Sequence, residues 1–344
     1  MPLDSARAYL PLEDAPPLPR FVQIEPVGQC NLRCQMCAIQ FRDDGARGTP
    51  LAFLAFDDFT RLVEGFGRID ELQLQGLGEP TMHPRFFDMV AWASARGIRV
   101  STNTNLTLWS ERRARQCIDS GLATLHVSLD AATPSLYERI RRGARFAKVL
   151  RNLRRVVAAR AAAHAPLELR IVTVLMRANL DELPAIVNLA RDEGVGNVFV
   201  QYLCHDFEEH SLPAEYRPMR DFIRAQGLDT LPRERLESAF AAARAAASLG
   251  GVDLRLPPLS PAHAKARSAP RCDWPSRGAY VSYRGDAMPC CMVGTPDRVN
   301  FGNMLDEGVE RVWRNDAYRR FRADLAADTP AAICRSCALY RGLF

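Results

Sequence analysis

The chain has 344 residues, of which 47% are hydrophobic, 25% charged and 8% aromatic, enough to bury a sizeable core unaided. Its net charge of 45 − 40 = +5 is too small for a dedicated nucleic-acid or membrane binder. No stretch reaches the ~18–20 apolar residues that cross a bilayer and no signal peptide is visible, so a cytoplasmic location is expected, where ten cysteines stay reduced and serve as core, reactive or metal-bound thiols.

Residues 1–20 read as an N-terminal extension, after which short apolar runs alternate with amphipathic helical stretches. A strand over 21–25 leads into Cys30-Asn31-Leu32-Arg33-Cys34-Gln35-Met36-Cys37, spaced C-x3-C-x2-C. A helix over 57–66 and a strand over 71–75 follow, and the strand runs out into Gly76-Leu77-Gly78-Glu79-Pro80. Glycines at a strand end let the backbone approach a ligand closely. After a helix over 84–96, a strand over 99–102 ends in Asn103-Thr104-Asn105. A helix over 110–120 carries Cys117, read as a core residue. The strand over 124–129 ends in Ser128-Leu129-Asp130, which puts Ser128 and Asp130 on one face. Helix capping is the alternative use of Asp130.

One long helix is predicted over 134–160, then a strand over 168–174, a helix over 183–192 and a strand over 198–203. The last strand ends in Gln201-Tyr202-Leu203-Cys204-His205, so Tyr202, Cys204 and His205 are candidate catalytic residues. A buried core position is the plainer reading of Cys204. Asp206, Glu208, Glu209 and His210 would line a polar pocket or form a solvated loop. Residues 212–266, with an alanine-rich helix over 233–248, bridge to a cysteine-rich C-terminal segment. There a hairpin turning at Arg284-Gly285-Asp286 and a single helix over 308–325 are predicted.

Strand–helix alternation of this kind gives a parallel sheet with right-handed crossovers, curved or closed toward a barrel, with ligands beyond the carboxyl ends of the strands. Three cysteines within eight residues grip part of a [4Fe–4S] cube and leave one iron open. Zinc with a borrowed fourth ligand is the competitor, although zinc favours paired C-x2-C spacing. Cys272, Cys290, Cys334 and Cys337 make a second set, suited to one more fully ligated cluster or to tetrahedral zinc. Cys291, beside a ligand, is a spare or a replacement for Cys290.

The C-x3-C-x2-C loop after a first strand and the glycine turn after a second resemble the radical S-adenosyl-L-methionine (SAM) superfamily. The resemblance implies an α/β fold: a partial (β/α)6 TIM-like barrel over residues 21–211, a helical bridge over 212–266, and a SPASM/twitch-like auxiliary domain over 267–344. It implies two [4Fe–4S] clusters and SAM as cofactors, with Cys30, Cys34 and Cys37 on the SAM-binding cluster and Cys272, Cys290, Cys334 and Cys337 on the auxiliary one. Gly76, Leu77, Gly78 and Glu79 would hold the cofactor's amino group, although Leu77 stands where the family has glycine. Asn103, Asn105, Ser128 and Asp130 match positions that contact its ribose and carboxylate. Met36 replaces a usual aromatic residue and would pack on the adenine.

The expected activity is that of a radical SAM oxidoreductase. It would take hydrogen from a small polar substrate (a sugar, aminocyclitol or nucleoside-like compound) and pass an electron to the auxiliary cluster, for net dehydrogenation. Epimerisation or decarboxylation, with Cys204 as hydrogen donor, is the alternative, as is a peptide-modifying maturase. Against the maturase, only 29 residues precede Cys30 and the cysteines suffice for one auxiliary cluster. A flavodoxin- or ferredoxin-type reductant is expected, and neither a membrane nor a nucleic-acid partner. A zinc-binding RNA or scaffold protein is disfavoured by the modest charge and the lack of a basic run.

Overall fold

The computed structural model describes residues 16–42, 50–203, 207–259 and 272–341. Among them nine strands share one sheet: β1 Phe21–Ile24, β2 Glu71–Leu74, β3 Arg99–Thr104, β4 Thr124–Ser128, β5 Glu168–Leu175, β6 Asn197–Tyr202, β7 Asp253–Arg255, β8 Gly278–Val281 and β9 Ala287–Met288. Their order is β7-β6-β5-β4-β3-β2-β1-β8-β9. Every neighbouring pair is parallel except the β8–β9 hairpin. The edges do not meet, so the barrel is partial and unclosed.

The six expected strands lie within about two residues of their predicted bounds, and the chain adds two more to the parallel set. β7 comes from the bridge. β8 comes from the C-terminal segment and pairs with β1, Phe21↔Gly278 through Ile24↔Val281. The C-terminal hairpin is therefore built onto the barrel sheet, with Ala279, Tyr280 and Val281 buried.

Two of the three expected long helices are broken, while the one over 233–248 forms whole as Arg233–Gly250. The one expected over 134–160 divides into Pro134–Ile140 and Phe146–Ala162 at Gly143, whose φ of 96° disfavours any residue with a β-carbon. The one expected over 308–325 divides into Val309–Trp313 and Asp316–Ala326, because Asn315 accepts a hydrogen bond from the Tyr318 N–H at 2.9 Å and starts a new helix.

Alternation along the strands sorts the two faces. Val22, Leu72, Val100, Leu125 and Leu169 are buried against the helices. On the concave face, register aligns Gln23, Gln73 and Ser101 in one row and Asn103, His126 and Arg170 in the next. Near the C terminus, the buried Arg322 lies between the rings of Trp313 and Tyr318, at 4.0 and 3.9 Å, and donates to the Pro275 carbonyl at 2.9 Å. No helix among the described residues is long and apolar enough to cross a membrane.

Candidate active site and second cysteine site

A cavity of about 310 Å³ opens at the carboxyl ends of the strands. One wall is the cysteine loop, with Cys30, Cys34, Met36 and Cys37. Around it stand residues 75–79, residues 103–105, Ser128 and Arg141. The far side comprises Val174, residues 201–203, Phe207, Met219, Ile223 and residues 291–294.

N–H groups converge on the sulfurs of the loop. Leu32 N donates to Cys30 Sγ at 3.4 Å, Asn105 Nδ2 to Cys30 Sγ at 3.7 Å and Arg141 Nη1 to Cys34 Sγ at 3.9 Å. Burial pushes all three thiols above their ordinary range, Cys34 to about 11. Buried thiolates need a compensating cation, and iron supplies one. The donor set fits a cluster.

The glycine turn is pressed onto the chain just before the cysteines. A β-carbon on Gly78 would lie 2.4 Å from the Val27 carbonyl oxygen and 2.7 Å from that of Gln29, and Glu79 N donates to the Gln29 carbonyl at 3.0 Å. The Glu79 carboxylate is occupied within the protein, accepting from Thr104 Oγ1 at 2.6 Å, Asn105 N at 2.8 Å and Thr81 Oγ1 at 2.5 Å. It ties the β2 turn to the end of β3. Burial raises its pKa, opposed by those bonds.

Behind the same loops Glu25, fully buried, takes Tyr280 Oη at 2.7 Å, Arg42 Nη1 at 3.1 Å and Leu77 N at 3.3 Å. Arg42 Nη1 also reaches the Gly294 carbonyl at 3.3 Å. One carboxylate thus joins the end of β1, the cysteine loop, the glycine turn and β8.

In the C-terminal segment, Cys290 is buried against Val293, Ile333 and Cys334. Cys291, Cys272 and Cys337 lie within electrostatic reach of Cys290, and Cys337 and Cys334 within reach of Cys272; burial and these neighbours raise both thiols. These cysteines gather away from the Cys30–Cys37 loop, and Cys291, beside Cys290, also lines the main cavity. Among the described residues no three His, Cys, Asp or Glu side chains would hold a single ion; a cube with one thiolate per iron asks for wider spacing.

Residues 24–190 match the radical SAM superfamily, and residues 272–338 match SPASM, an iron–sulfur cluster-binding domain. This chain is a radical SAM protein with a C-terminal SPASM domain. The tungsten-containing aldehyde ferredoxin oxidoreductase cofactor-modifying protein of Pyrococcus furiosus is 24% identical over 88% of this chain and 83% of its own length. The PqqA peptide cyclase of Xanthomonas campestris is 25% identical over 93% of this chain and 80% of its own. SAM-bound SuiB from Streptococcus suis shares the fold at a TM-score of 0.70, with 16% identity, over 94% of this chain and 72% of that one. With these two domains, the cofactors of this radical SAM–SPASM protein are SAM and two [4Fe–4S] clusters.

The structure gathers Gly76, Leu77, Gly78, Glu79, Asn103, Asn105, Ser128 and Met36 on the cavity, as the sequence suggested. Asp130 stands apart. It is fully buried, paired to Arg141 Nε at 2.7 Å and accepting from Val174 N at 2.8 Å, so it reaches the cavity only through Arg141. Tyr202 lines the cavity and donates its hydroxyl to the Pro258 carbonyl at 2.8 Å. Cys204, His205 and Asp206 lie outside the described residues. The rest of the expected polar pocket is elsewhere: Glu208 and His210 are exposed, and Glu209 is buried in a pair with Arg298 at 2.7 Å.

Sequence reasoning missed Arg141, one of three arginines around Ile140, distinguishable only once the helix breaks at Gly143. It also missed His126. Asn103 Oδ1 can only accept, so the His126 Nδ1 that meets it at 2.7 Å carries the proton. Burial and the nearby Arg170 charge lower His126 to about 3, so the ring is neutral and orients the Asn103 amide.

Proposed function

We propose that this radical SAM protein catalyses a net oxidation: a hydrogen atom leaves a substrate carbon held at the far side of the cavity, a second hydrogen leaves the substrate radical as a proton to solvent, and the remaining electron would leave through the C-terminal cysteine site. The separation of the cysteines into two sites carries the reading, three lining the cavity and four half-buried or buried apart from it. When bound, the open cluster and SAM supply a primary carbon radical.

The chain's own residues prepare that event. Cys30, Cys34 and Cys37 hold three corners and leave room for the cofactor. Backbone atoms of the 76–78 turn would approach it, Asn103 and Ser128 would meet its polar groups, and Arg141, held by Asp130, would offer a fixed cation to its carboxylate. The Glu25–Arg42–Tyr280 cluster keeps the 291–294 wall in register with the cofactor loops. Four cysteine ligands leave no iron open at the second site, which suits electron transfer rather than substrate binding.

A peptide substrate is the second reading for the same chemistry, favoured by the peptide cyclase named among the relatives. The sugar- or aminocyclitol-like substrate finds polar partners on the cofactor side but, apart from Gln201 and Tyr202, mainly apolar residues opposite. The test uses anaerobically reconstituted enzyme with SAM and dithionite, scanned against peptide and metabolite pools. Net oxidation predicts 5′-deoxyadenosine and a product lighter than its substrate by two hydrogen atoms. A product of unchanged mass would replace oxidation by epimerisation.

A further inference from the structure

Beyond Val174 and residues 201–203, the far side of the cavity has a lobe built from two segments that are distant in sequence. Phe207, Met219 and Ile223 come from the bridge, the last two one turn apart on the helix Arg217–Gln226. Met292 and Val293 come from the loop after the auxiliary ligand Cys290.

Polar bonds behind this wall hold the two segments together. The Arg298–Glu209 pair, at 2.7 Å with side chains 2% and 4% exposed, spans them. The Arg298 guanidinium lies 4.2 Å from the Phe207 ring centre and donates to the Val293 carbonyl at 3.2 Å. Tyr216 stacks on Phe207 and donates its hydroxyl to Asp297 at 3.0 Å. The charges in these bonds face one another, and what Phe207, Met219, Ile223, Met292 and Val293 present to the cavity is hydrocarbon and thioether, with the Cys291 thiol at its edge. The cofactor's polar partners, Asn103, Ser128 and Arg141, are on other walls of the same cavity.

We infer that this lobe receives an apolar group of the substrate, aliphatic or aromatic, and that the hydrogen removed comes from a carbon of that group. The inference rests on the radical reading above and narrows its substrate class. An apolar lobe gains by enclosing hydrocarbon, at about 25 cal/mol per Å² removed from water. It would strip a polyol of hydration without returning hydrogen bonds. It also suits the chemistry: a C–H bond without neighbouring heteroatoms gives acids and bases no purchase, whereas hydrogen-atom abstraction needs only proximity. In that step the C–H bond breaks, the hydrogen atom goes to the 5′ carbon of the cofactor to give 5′-deoxyadenosine, and the unpaired electron stays on the substrate carbon.

The probe is perdeuterated toluene, small enough for the lobe and carrying a benzylic C–D bond, with perdeuterated glycerol as the polar counterpart. Each is added to reduced holoenzyme with SAM, and deuterium in 5′-deoxyadenosine is read by mass spectrometry. Excess dithionite and a solvent proton quench the carbon radical left behind. Headspace partitioning of toluene over the SAM-loaded holoenzyme measures binding separately. The inference predicts bound toluene and label from toluene exceeding that from glycerol. It predicts that both fall about tenfold in Ile223→Asp and are retained in Ile223→Leu, which controls for folding. Label from glycerol alone overturns it, as does unlabelled 5′-deoxyadenosine with no toluene bound, or equal binding to the aspartate variant. Absence of any 5′-deoxyadenosine marks failure of the radical reading instead, and binding then decides on the lobe.

Discussion

Replacing Arg42 by methionine keeps the bulk of the side chain and removes the cation from the Glu25 carboxylate. The pair is almost water-free, with side chains 2% and 0% exposed, and only Tyr280 Oη and Leu77 N would remain on the acid. Breaking a buried pair from one side costs about 3–5 kcal/mol, since the other charge stays buried. Spread over the unfolding entropy of 344 residues, about 0.7 kcal/mol per degree at ~2.1 cal/mol/K per residue, this lowers the midpoint by about 4–7 °C. Anaerobic thermal unfolding followed by circular dichroism reads the shift at a fixed scan rate. The triple variant Glu25→Met, Arg42→Met, Tyr280→Phe leaves no orphaned polar group among the three and recovers much of the loss. If Arg42→Met melts with the wild type, or the triple variant melts below it, the buried carboxylate is not the joint described here.

Three further outcomes follow from the same geometry. Since the folded state lowers His126 from 6.5 to about 3, the unfolded chain takes up the proton first. Stability is therefore whole above pH ~6.5 and declines toward pH 3 by up to about 1.4 kcal/mol per pH unit from this group; His126→Gln flattens that part of a denaturation–pH profile. Gly78→Ala drives a methyl group into the carbonyls of Val27 and Gln29, so equilibrium dialysis should find SAM affinity lowered at least about tenfold with the iron content kept. Cys290→Ala halves the iron from about eight to about four per chain while Cys291→Ala leaves it whole, by ferrozine assay; the reverse result would exchange their roles.

The strands were legible because parallel strands flanked by helices are short apolar runs, and the residues just past their ends were legible because chemistry-bearing types interrupt that pattern. The cysteine spacings singled out both cysteine groups for the same local reason. What escaped depends on distance in sequence. Nothing in Gly278–Val281 announces β1 as its partner across some 250 residues, nor Glu25 as the acceptor for Tyr280. The two helix breaks turned on single residues, Gly143 and Asn315, each overriding an otherwise continuous amphipathic pattern. Asp130 was read as facing the barrel mouth, but its burial against Arg141 at 2.7 Å is a tertiary fact. The apolar far wall is assembled from pieces of the bridge and the C-terminal loop that carry no motif.

The claim on which the account turns is that Cys30, Cys34 and Cys37 hold a cluster whose open iron takes SAM through its amino and carboxylate groups. Electron–nuclear double resonance on the reduced protein, with SAM carrying isotopic nitrogen in its amino group, tests it directly. The account predicts a nitrogen coupling to the cluster that is present in the wild type and in Cys334→Ala and lost in Cys34→Ala. A reduced, iron-replete wild type without that coupling, or a coupling that survives in Cys34→Ala, would contradict it.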